Sequence, residues 1–295
     1  MDHYLAIDIG GTETKYGILN ELGDIVEFGK FSSQNADGSI VLEGIKEIAH
    51  EKYNGVKGLA ISAPGFIDAA SGYIENGGAF RDFDNFNMKS YLENELSMPV
   101  TIENDVNCVA YAEKWLGNAQ ENTDFVCITI GTGVGGALFL NNQLYRGASN
   151  RAGEFGHMVH RNKAENTRKS SYNYTSTMRA LCMQFATAKK IPLHEVSGEL
   201  LFQSFDDGDQ DAKAIVSDFY ESIAKMIYNI FNAINPGKLL IGGGISSRPS
   251  LVSELKSQLR KYGLHNDLLE VDTCHFKNQA GIVGATYHHV QNTDF

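Results

Sequence analysis

The sequence predicts an α/β protein with two similar lobes, and two observations point to this fold class. First, the order strand, glycine turn, strand, strand, helix occurs twice, beginning at Tyr4 and again at Phe125. Second, the glycines cluster directly after apolar runs, which is typical of tight turns where the backbone approaches a ligand. A weak duplication of this kind indicates two lobes with a cleft between them. Because open α/β sheets bind ligands at strand ends, we expect both glycine turns to face that cleft.

The elements of the first lobe follow from short apolar runs that end at turn residues and from apolar spacings of three and four. The predicted order is strands Tyr4–Ile7, Lys15–Asn20 and Asp24–Phe31, a helix from Ile40 to about Asn54, strand Val56–Ser62, helix Met88–Leu96, strand Val100–Glu103 and helix Asn104–Leu116. The second lobe begins with the same alternation of apolar runs and turns. Its predicted elements are strands Phe125–Ile130, Val134–Leu140 and Gln143–Tyr145, a polar loop His160–Lys169 followed by helix, a long helix Asp211–Ile234, strand Lys238–Ile241, and helices Pro249–Tyr262 and Gln279–Val290.

Composition excludes several classes of protein. The 295 residues are 42% hydrophobic and 21% charged, which is ordinary globular composition. A net charge of −11 makes nucleic acids and anionic membranes poor partners. The four cysteines are far apart and form no CxxC pair, so neither a disulfide framework nor a thiolate zinc site is expected. Asp2 and Asp8 interrupt the pattern of a signal peptide, so we expect a cytoplasmic protein.

The first glycine turn has the composition of an anion-binding loop. Gly10 and Gly11 allow backbone N–H groups to turn toward an anion, and Thr12 and Lys15 add further donors. Asp8, at the end of the strand, can hold a hydrated magnesium ion beside the phosphates. The alternative is a plain glycine hairpin with a solvated lysine.

Two further glycine turns lie in the second lobe. Gly131, Thr132 and Gly133 open a run to Gly136 that is neither a Walker A loop nor a dinucleotide fingerprint, because a strand rather than a helix follows it. Paired with the first turn, it predicts a two-sided phosphate clamp. Gly243 and Gly244 follow the strand that ends at Ile241, which suits close approach of a base or ribose.

Two polar clusters are candidates for substrate chemistry. Asn104 and Asp105 lie where a predicted strand meets a predicted helix. One interpretation is that either residue serves only as a helix cap. The other is that both side chains bind a polyol and that Asp105 accepts a proton from a hydroxyl group. Glu154 and His157 are three residues apart and bracketed by glycines, so both side chains can reach one ligand. The alternatives for His157 are a structural role or a metal ligand.

Together these motifs resemble the ROK family of sugar kinases over essentially the whole chain. The matching segments are Asp8–Lys15, Pro64–Asp68, Glu103–Asp105, Gly131–Gly136, Gly153–His157, Gly242–Gly244 and Ala280–Ala285. The resemblance implies a two-lobed actin/hexokinase-like ATPase (ribonuclease H-like) fold, with a duplicated βββαβα core and an interlobe cleft. It implies an N-terminal lobe of residues 1–117 plus 281–295 and a C-terminal lobe of residues 118–280.

The resemblance also implies roles for the site residues. Asp105 would be the catalytic base, while Asn104, Glu154 and His157 would hold sugar hydroxyls. ATP with Mg²⁺ would lie between the two phosphate loops, with its adenosine near Gly243–Gly244. The implied partner is a small-molecule sugar, with no nucleic acid or membrane. The oligomeric state is left open, with a homodimer as one option.

One departure from the family pattern bears on the substrate. Many ROK members carry a CxCGxxGCxE zinc segment after the GExGH motif, but Met158–Tyr174 contains no cysteine, so no bound metal is expected there. Asn173 stands where that segment supplies a sugar-binding Glu. This change, with the segments Gly77–Phe86 and Gly198–Phe202, resembles the β-glucoside kinases of the family. We therefore expect an ATP-dependent kinase for the 6-hydroxyl of a hexose or hexoside, in first place a β-glucoside. The alternatives are an N-acetylmannosamine kinase, a glucokinase or fructokinase, or a sugar-sensing regulator without a DNA-binding domain.

Overall fold

The computed structural model describes residues 1–52, 55–160 and 167–293. The predicted end of the first helix near Asn54 and part of the polar loop after His160 lie outside the described residues. The chain forms two compact units. Unit 1 comprises Met1–Glu121, Leu144–Ala152 and His275–Phe295, and unit 2 comprises Asn122–Gln143 and Gly153–Cys274. Unit 1 thus includes a nine-residue segment, Leu144–Ala152, that the sequence-based division gave to the second lobe.

Unit 1 is built on a five-stranded sheet. Its elements are β1 (His3–Ile9), β2 (Glu13–Asn20), β3 (Ile25–Ser32), α1 (Gly38–Lys52), β4 (Leu59–Ala63), β5 (Phe66–Asp68), β6 (Tyr73–Asn76), β7 (Phe86–Asn87), α2 (Met88–Leu96), β8 (Val100–Asn104) and α3 (Asp105–Trp115). The strand order is β3-β2-β1-β4-β8, with β5, β6 and β7 in a separate small sheet. β1 is antiparallel to β2 and parallel to β4, and β4 is parallel to β8.

Unit 2 repeats this plan. Its elements are β9 (Phe125–Ile130), β10 (Val134–Leu140), α4 (Tyr172–Thr175), α5 (Met178–Lys189), α6 (Gly198–Asp206), α7 (Gln210–Ile234), β12 (Lys238–Gly242), α8 (Leu251–Lys261) and β13 (Glu270–Thr273). β11 (Gln143–Tyr145) begins in unit 2 and its last two residues belong to unit 1, and α9 (Ala280–Asn292) follows in unit 1. The sheet order is β11-β10-β9-β12-β13. β10 is antiparallel to β9, whereas β12 is parallel to both β9 and β13. The predicted duplication of the strand pattern is therefore confirmed.

The two faces of the first sheet are packed differently, and this places α9 beside the first glycine turn. Leu5 and Ile7 of β1 lie in the core that includes residues of α1 and α2. Ala6, between them, faces the small-residue core formed with α3 and α9. Any side chain at Gly284 of α9 would overlap the Cys108 carbonyl of α3, so glycine permits this close helix packing. Within the described residues, no helix is long and apolar enough to cross a membrane.

Candidate active site

Strand register positions the carboxylate of Asp8 in unit 1. Asp8 pairs with Lys15 on β2 and with Ser62 on β4, so the three side chains point to the same face of the sheet. Ser62 Oγ donates to Asp8 Oδ1 at 2.8 Å, and Lys15 Nζ lies 3.5 Å from Oδ2. α9 begins against this carboxylate, because a side chain at Gly281 would overlap Asp8. The structure thus brings together Asp8 and Lys15, two of the predicted site residues. Ser62, by contrast, escaped the sequence analysis, although it ends a predicted strand.

The glycines of the predicted phosphate loops fall into two groups. Gly10 and Gly243 have structural reasons to be glycine: a Cβ at Gly10 would lie 2.7 Å from the Glu13 carbonyl oxygen, and Gly243 has φ of 81°. Gly11, Gly131 and Gly244 have neither, because a Cβ there would meet no atom within 4 Å. Their missing side chains leave backbone accessible to a ligand, which fits loops that receive phosphate or ribose oxygens.

The β8–α3 junction fixes Asn104 and Asp105. Asn104 is the N-cap of α3: its Oδ1 accepts from the N–H groups of Val106 and Asn107, and its Nδ2 donates to Gly65 O at 3.0 Å. Asp105 is the first residue of the helix, and its Oδ1 accepts the N–H of Val106 at 2.9 Å. Asn104 therefore caps α3, which is the part of the capping alternative that the geometry shows. Its second Nδ2 proton and the Asp105 carboxylate are still able to bind a hydroxyl group.

A buried carboxylate, Glu103, lies directly before this junction. Its Oε1 accepts from Asn104 N at 2.8 Å and from Asn107 Nδ2 at 2.9 Å. Its Oε2 accepts from Arg146 Nε at 3.0 Å and from a terminal nitrogen of the same guanidinium. Arg146 also donates to the Tyr111 hydroxyl at 3.0 Å. Sequence reasoning missed Arg146 and Tyr111. Arg146 is 43 residues from Glu103 in the chain, so no local sequence pattern predicts their ion pair or the hydrogen bond to Tyr111.

In unit 2, glycines shape the turn that carries Glu154 and His157. Gly153 has φ of 90°, and a side chain at Gly156 would overlap the Val134 carbonyl. The two functional side chains lie 3.8 Å apart, from His157 Nε2 to Glu154 Oε2. The His157 side chain is 62% exposed, which leaves it accessible to a ligand. Among the described residues, no group of three or more His, Cys, Asp or Glu side chains is arranged to hold a metal ion.

The structure gives Asn173 a role that the sequence analysis did not foresee. Its Oδ1 accepts the N–H of Val134, which lies in the predicted second phosphate loop (Gly131–Gly136), at 2.7 Å. The same oxygen would lie 2.5 Å from a Cβ at Gly156, so Asn173 also packs against the glycine turn. Asn173 and Thr132 line a cavity of about 760 Å³ in unit 2, together with Thr177 and Arg179. Asn173 thus contacts both the predicted second phosphate loop and the glycine turn at Gly156, and it lines a ligand-sized cavity.

Comparison with known proteins identifies the family. The ROK family profile matches residues 4–291. The chain belongs to the ROK family. It is 43% identical over 287 residues to a β-glucoside kinase of Listeria monocytogenes, covering 97% of each chain.

Two solved structures have the same fold. The Lmo2764 protein of Listeria monocytogenes, described as a candidate N-acetylmannosamine kinase, superposes with a TM-score of 0.95 and 42% identity over 99% of this chain and 100% of that one. A ROK glucokinase of Streptomyces griseus, solved with glucose and AMPPNP, gives 0.85 at 22% identity over 98% and 100% of the chains. The predicted family, fold class and enzyme class, a carbohydrate kinase similar to β-glucoside kinases, are confirmed.

Proposed function

We propose that this chain transfers the γ-phosphoryl group of ATP to the 6-hydroxyl of a β-glucoside. The observation that carries the proposal is the β8–α3 junction, where helix capping and part-buried hydrogen bonds hold the Asp105 carboxylate at the start of a helix. Its support from relatives is the 43% identity to a β-glucoside kinase over nearly the full length of both chains.

In the proposed reaction, Asp105 accepts the proton of the substrate hydroxyl. As that proton leaves, the hydroxyl oxygen forms a bond to the γ-phosphorus, and the bond between that phosphorus and the β,γ-bridging oxygen breaks. ADP leaves with the bonding electrons. A positioned carboxylate base contributes about 10²–10⁴ to such a rate. Asn104, Glu154 and His157 hydrogen-bond the sugar hydroxyls and orient the ring.

The phosphate loops bind the phosphoryl donor. Gly10, Gly11 and Thr12 supply backbone and hydroxyl donors from unit 1, and Lys15 adds a positive charge. Gly131, Thr132 and Gly133 play the corresponding part in unit 2, while Gly243 and Gly244 pass close to the adenosine. The open surfaces at Gly11, Gly131 and Gly244 support this assignment.

The residues present fit a magnesium ion. Mg²⁺ is commonly held by one or two carboxylates, water and substrate phosphates, and Asp8 offers a carboxylate beside the first loop. When bound, the ion would neutralise charge that develops on the phosphates. Ser62 and Lys15 orient the Asp8 carboxylate for this purpose.

The substrate assignment draws on Asn173. Its Oδ1 accepts a backbone N–H, so among the described residues its Nδ2 protons are the donors that remain for a ligand. A glycosidic oxygen accepts hydrogen bonds but cannot donate one, so it suits an amide N–H better than a carboxylate. A carboxylate at this position would instead favour a free anomeric hydroxyl, which can donate to it. N-acetylmannosamine is a second candidate substrate, supported by the description of the Listeria structure.

A coupled ADP-release assay with ATP and Mg²⁺ tests the proposal. The panel is cellobiose, gentiobiose, an aryl β-glucoside, glucose and N-acetylmannosamine, with the phosphorylated position located by NMR. We expect β-glucosides to be phosphorylated at O6 with kcat/KM at least equal to that for glucose. A strong preference for N-acetylmannosamine, with β-glucosides inert, would overturn the substrate assignment.

A further inference from the structure

Glu103 and Arg146 form an ion pair in unit 1 that reaches the proposed catalytic junction. The Glu103 side chain is fully buried, and the Arg146 side chain is 29% exposed. Two nitrogens of the guanidinium donate to the same carboxylate oxygen, Oε2. A buried carboxylate is costly unless it is paired and hydrogen-bonded, and here both oxygens have partners.

The other oxygen of Glu103 connects this pair to the first turn of α3. Oε1 accepts the backbone N–H of Asn104, the residue that caps the helix. It also accepts from the side chain of Asn107, one turn into the helix. Asp105 lies between these two residues in the chain. Arg146 orients Glu103, and Glu103 in turn holds the residues on both sides of Asp105 by hydrogen bonds.

The same pair adjusts the charge around the site. Burial raises the pKa of the Cys108 thiol, and the charges of Glu103, Asp8 and Asp105 raise it further. Lys15 lies beside Asp8, and Arg146 lies beside Glu103. The cluster thus contains the carboxylates of Asp8, Glu103 and Asp105, and Lys15 and Arg146 pair with the first two.

Two of the described groups beside the pair, Tyr111 and His288, are neutral. The Tyr111 hydroxyl accepts from Arg146, and burial raises the pKa of Tyr111 to about 12, so its phenol is neutral at pH 7. The His288 ring stacks on Tyr111, and burial lowers the pKa of that imidazole. Loss of the Arg146 charge would leave the Glu103 charge uncompensated.

We propose that Arg146 is a positioning residue for phosphoryl transfer, which acts through Glu103 to hold Asp105 in place and in its ionised form. The inference rests on the proposed function, because it assigns a part in that reaction to a side chain with no predicted contact to substrate. In this proposal the segment Leu144–Ala152 supports the β8–α3 junction of unit 1.

The principal test is the pH profile of Arg146→Met. We expect kcat to fall about 10²-fold, as for a misplaced reacting group, with the KM values for sugar and ATP within about threefold. The acidic limb of kcat/KM should move up by about one pH unit, because an uncompensated Glu103 charge favours the protonated form of Asp105. Arg146→Lys, which keeps the charge but not the paired hydrogen bonds, should retain the original limb.

The double variant Arg146→Met/Glu103→Gln distinguishes the effect of the Glu103 charge on Asp105 from the effect of lost hydrogen bonds on the position of Asp105. It removes both charges of the pair, so the acidic limb should return toward the wild-type position even if kcat stays low. Arg151→Met is the matched control, since Arg151 lies on the same segment and pairs with the exposed Glu75 at 2.6 Å. Its pH profile should equal that of the wild type.

A direct measurement makes the outcome independent of turnover. The side-chain carboxyl ¹³C resonance of Asp105, assigned by its loss in Asp105→Asn, can be titrated in the wild type and in Arg146→Met. An unchanged Asp105 titration in Arg146→Met would overturn the inference, whatever happens to kcat. Failure of the proposed function is a different result, because the wild type itself would then phosphorylate none of the sugars.

Discussion

The two units hold their predicted site residues in different ways. In unit 1 the predicted site residues are held by side-chain contacts: Asp8 with Ser62 and Lys15, and Asn104 with the first turn of α3 and with Gly65. In unit 2 the side chains of Glu154 and His157 are more exposed, and the constraint lies in the backbone. Gly153, Gly156 and Gly243 occupy positions where a side chain would strain or overlap its surroundings.

This difference suggests that the two units meet different requirements, proton transfer in unit 1 and nucleotide binding in unit 2. A carboxylate that accepts a proton must be held at one distance and angle, and a network of hydrogen bonds supplies that constraint. A loop that surrounds phosphates or ribose presents backbone N–H groups, so its demands are for space and for backbone conformation. We therefore expect substitutions in unit 1 to affect chemistry first. Substitutions of the unit 2 glycines should affect folding or nucleotide binding first.

The largest expected effect is at the proposed base. Asp105→Asn keeps the size of the side chain and an oxygen that can accept the Val106 N–H, but it removes the proton acceptor. We expect kcat to fall about 10²–10⁴-fold, with a much smaller change in ATP affinity. Steady-state kinetics and a nucleotide titration measure the two quantities. Near-native turnover would mean that Asp105 only stabilises the start of α3.

Neighbouring glycines in unit 2 offer a second test. Gly243→Ala places a Cβ at positive φ and against the Ile130 carbonyl, so we expect a loss of about 2–4 kcal/mol in the free energy of unfolding. Gly244→Ala is the matched substitution, with no atom near its new Cβ. It should unfold as the wild type does but show a higher KM for ATP. Equal stability of the two variants would contradict the structural distinction between them.

Much of the fold could be predicted because it rests on local patterns. The strands Phe125–Ile130 and Val134–Leu140 and the helix Met88–Leu96 have the predicted bounds, since turn residues or a cap mark their ends. The short strands β5 to β7 and β13 were missed, because two to four residues give little alternation to recognise. The three-residue β11 was predicted because the Asn141–Asn142 turn separates it from β10. Strands of this length are defined by their partners rather than by their sequence.

The site was predictable in its motifs but not in its contacts. Asp8 and Lys15 are seven residues apart and face each other across a hairpin, so their pairing follows from a short turn. Arg146 and Glu103 are 43 residues apart, and only the tertiary fold brings them together. Asn173 was assigned to the sugar from its place in the family pattern. Its hydrogen bond to Val134 joins residues 39 positions apart, so it depends on the tertiary fold and not on a local pattern.

Acid should destabilise unit 1 through a buried histidine. Burial of His289 lowers its pKa from 6.5 to about 4. As pH falls below 6.5, the unfolded imidazole takes up a proton while the folded one does not, so the stabilisation present above pH 6.5 is lost as pH approaches 4. Between pH 7.5 and 5.0 we expect a loss of about 2 kcal/mol from this residue.

Trp115 makes this loss measurable in unit 1. It is the single tryptophan of the chain and lies 5.2 Å from the Tyr287 ring, so its fluorescence reports unfolding of that unit. Urea titrations at the two pH values should show a smaller difference for His289→Asn than for the wild type. His194→Asn is the control, because its side chain in unit 2 is 82% exposed. The same pH dependence in His289→Asn would assign the acid sensitivity to other groups.

The smallest expected effect is on substrate choice, and it tests whether the side chain of Asn173 in unit 2 affects which sugar is phosphorylated. Asn173→Asp keeps an oxygen for the Val134 N–H, so the second phosphate loop should retain its shape. The substitution replaces the Nδ2 donors by an acceptor, which a glycosidic oxygen cannot satisfy but a free anomeric hydroxyl can. We expect the ratio of kcat/KM for cellobiose to that for glucose to fall about tenfold, or about 1.4 kcal/mol, with KM for ATP unchanged. Parallel assays of both sugars measure this ratio. If both sugars lose activity equally and KM for ATP rises, Asn173 serves only to hold the phosphate loop, and the preference for β-glucosides must arise elsewhere.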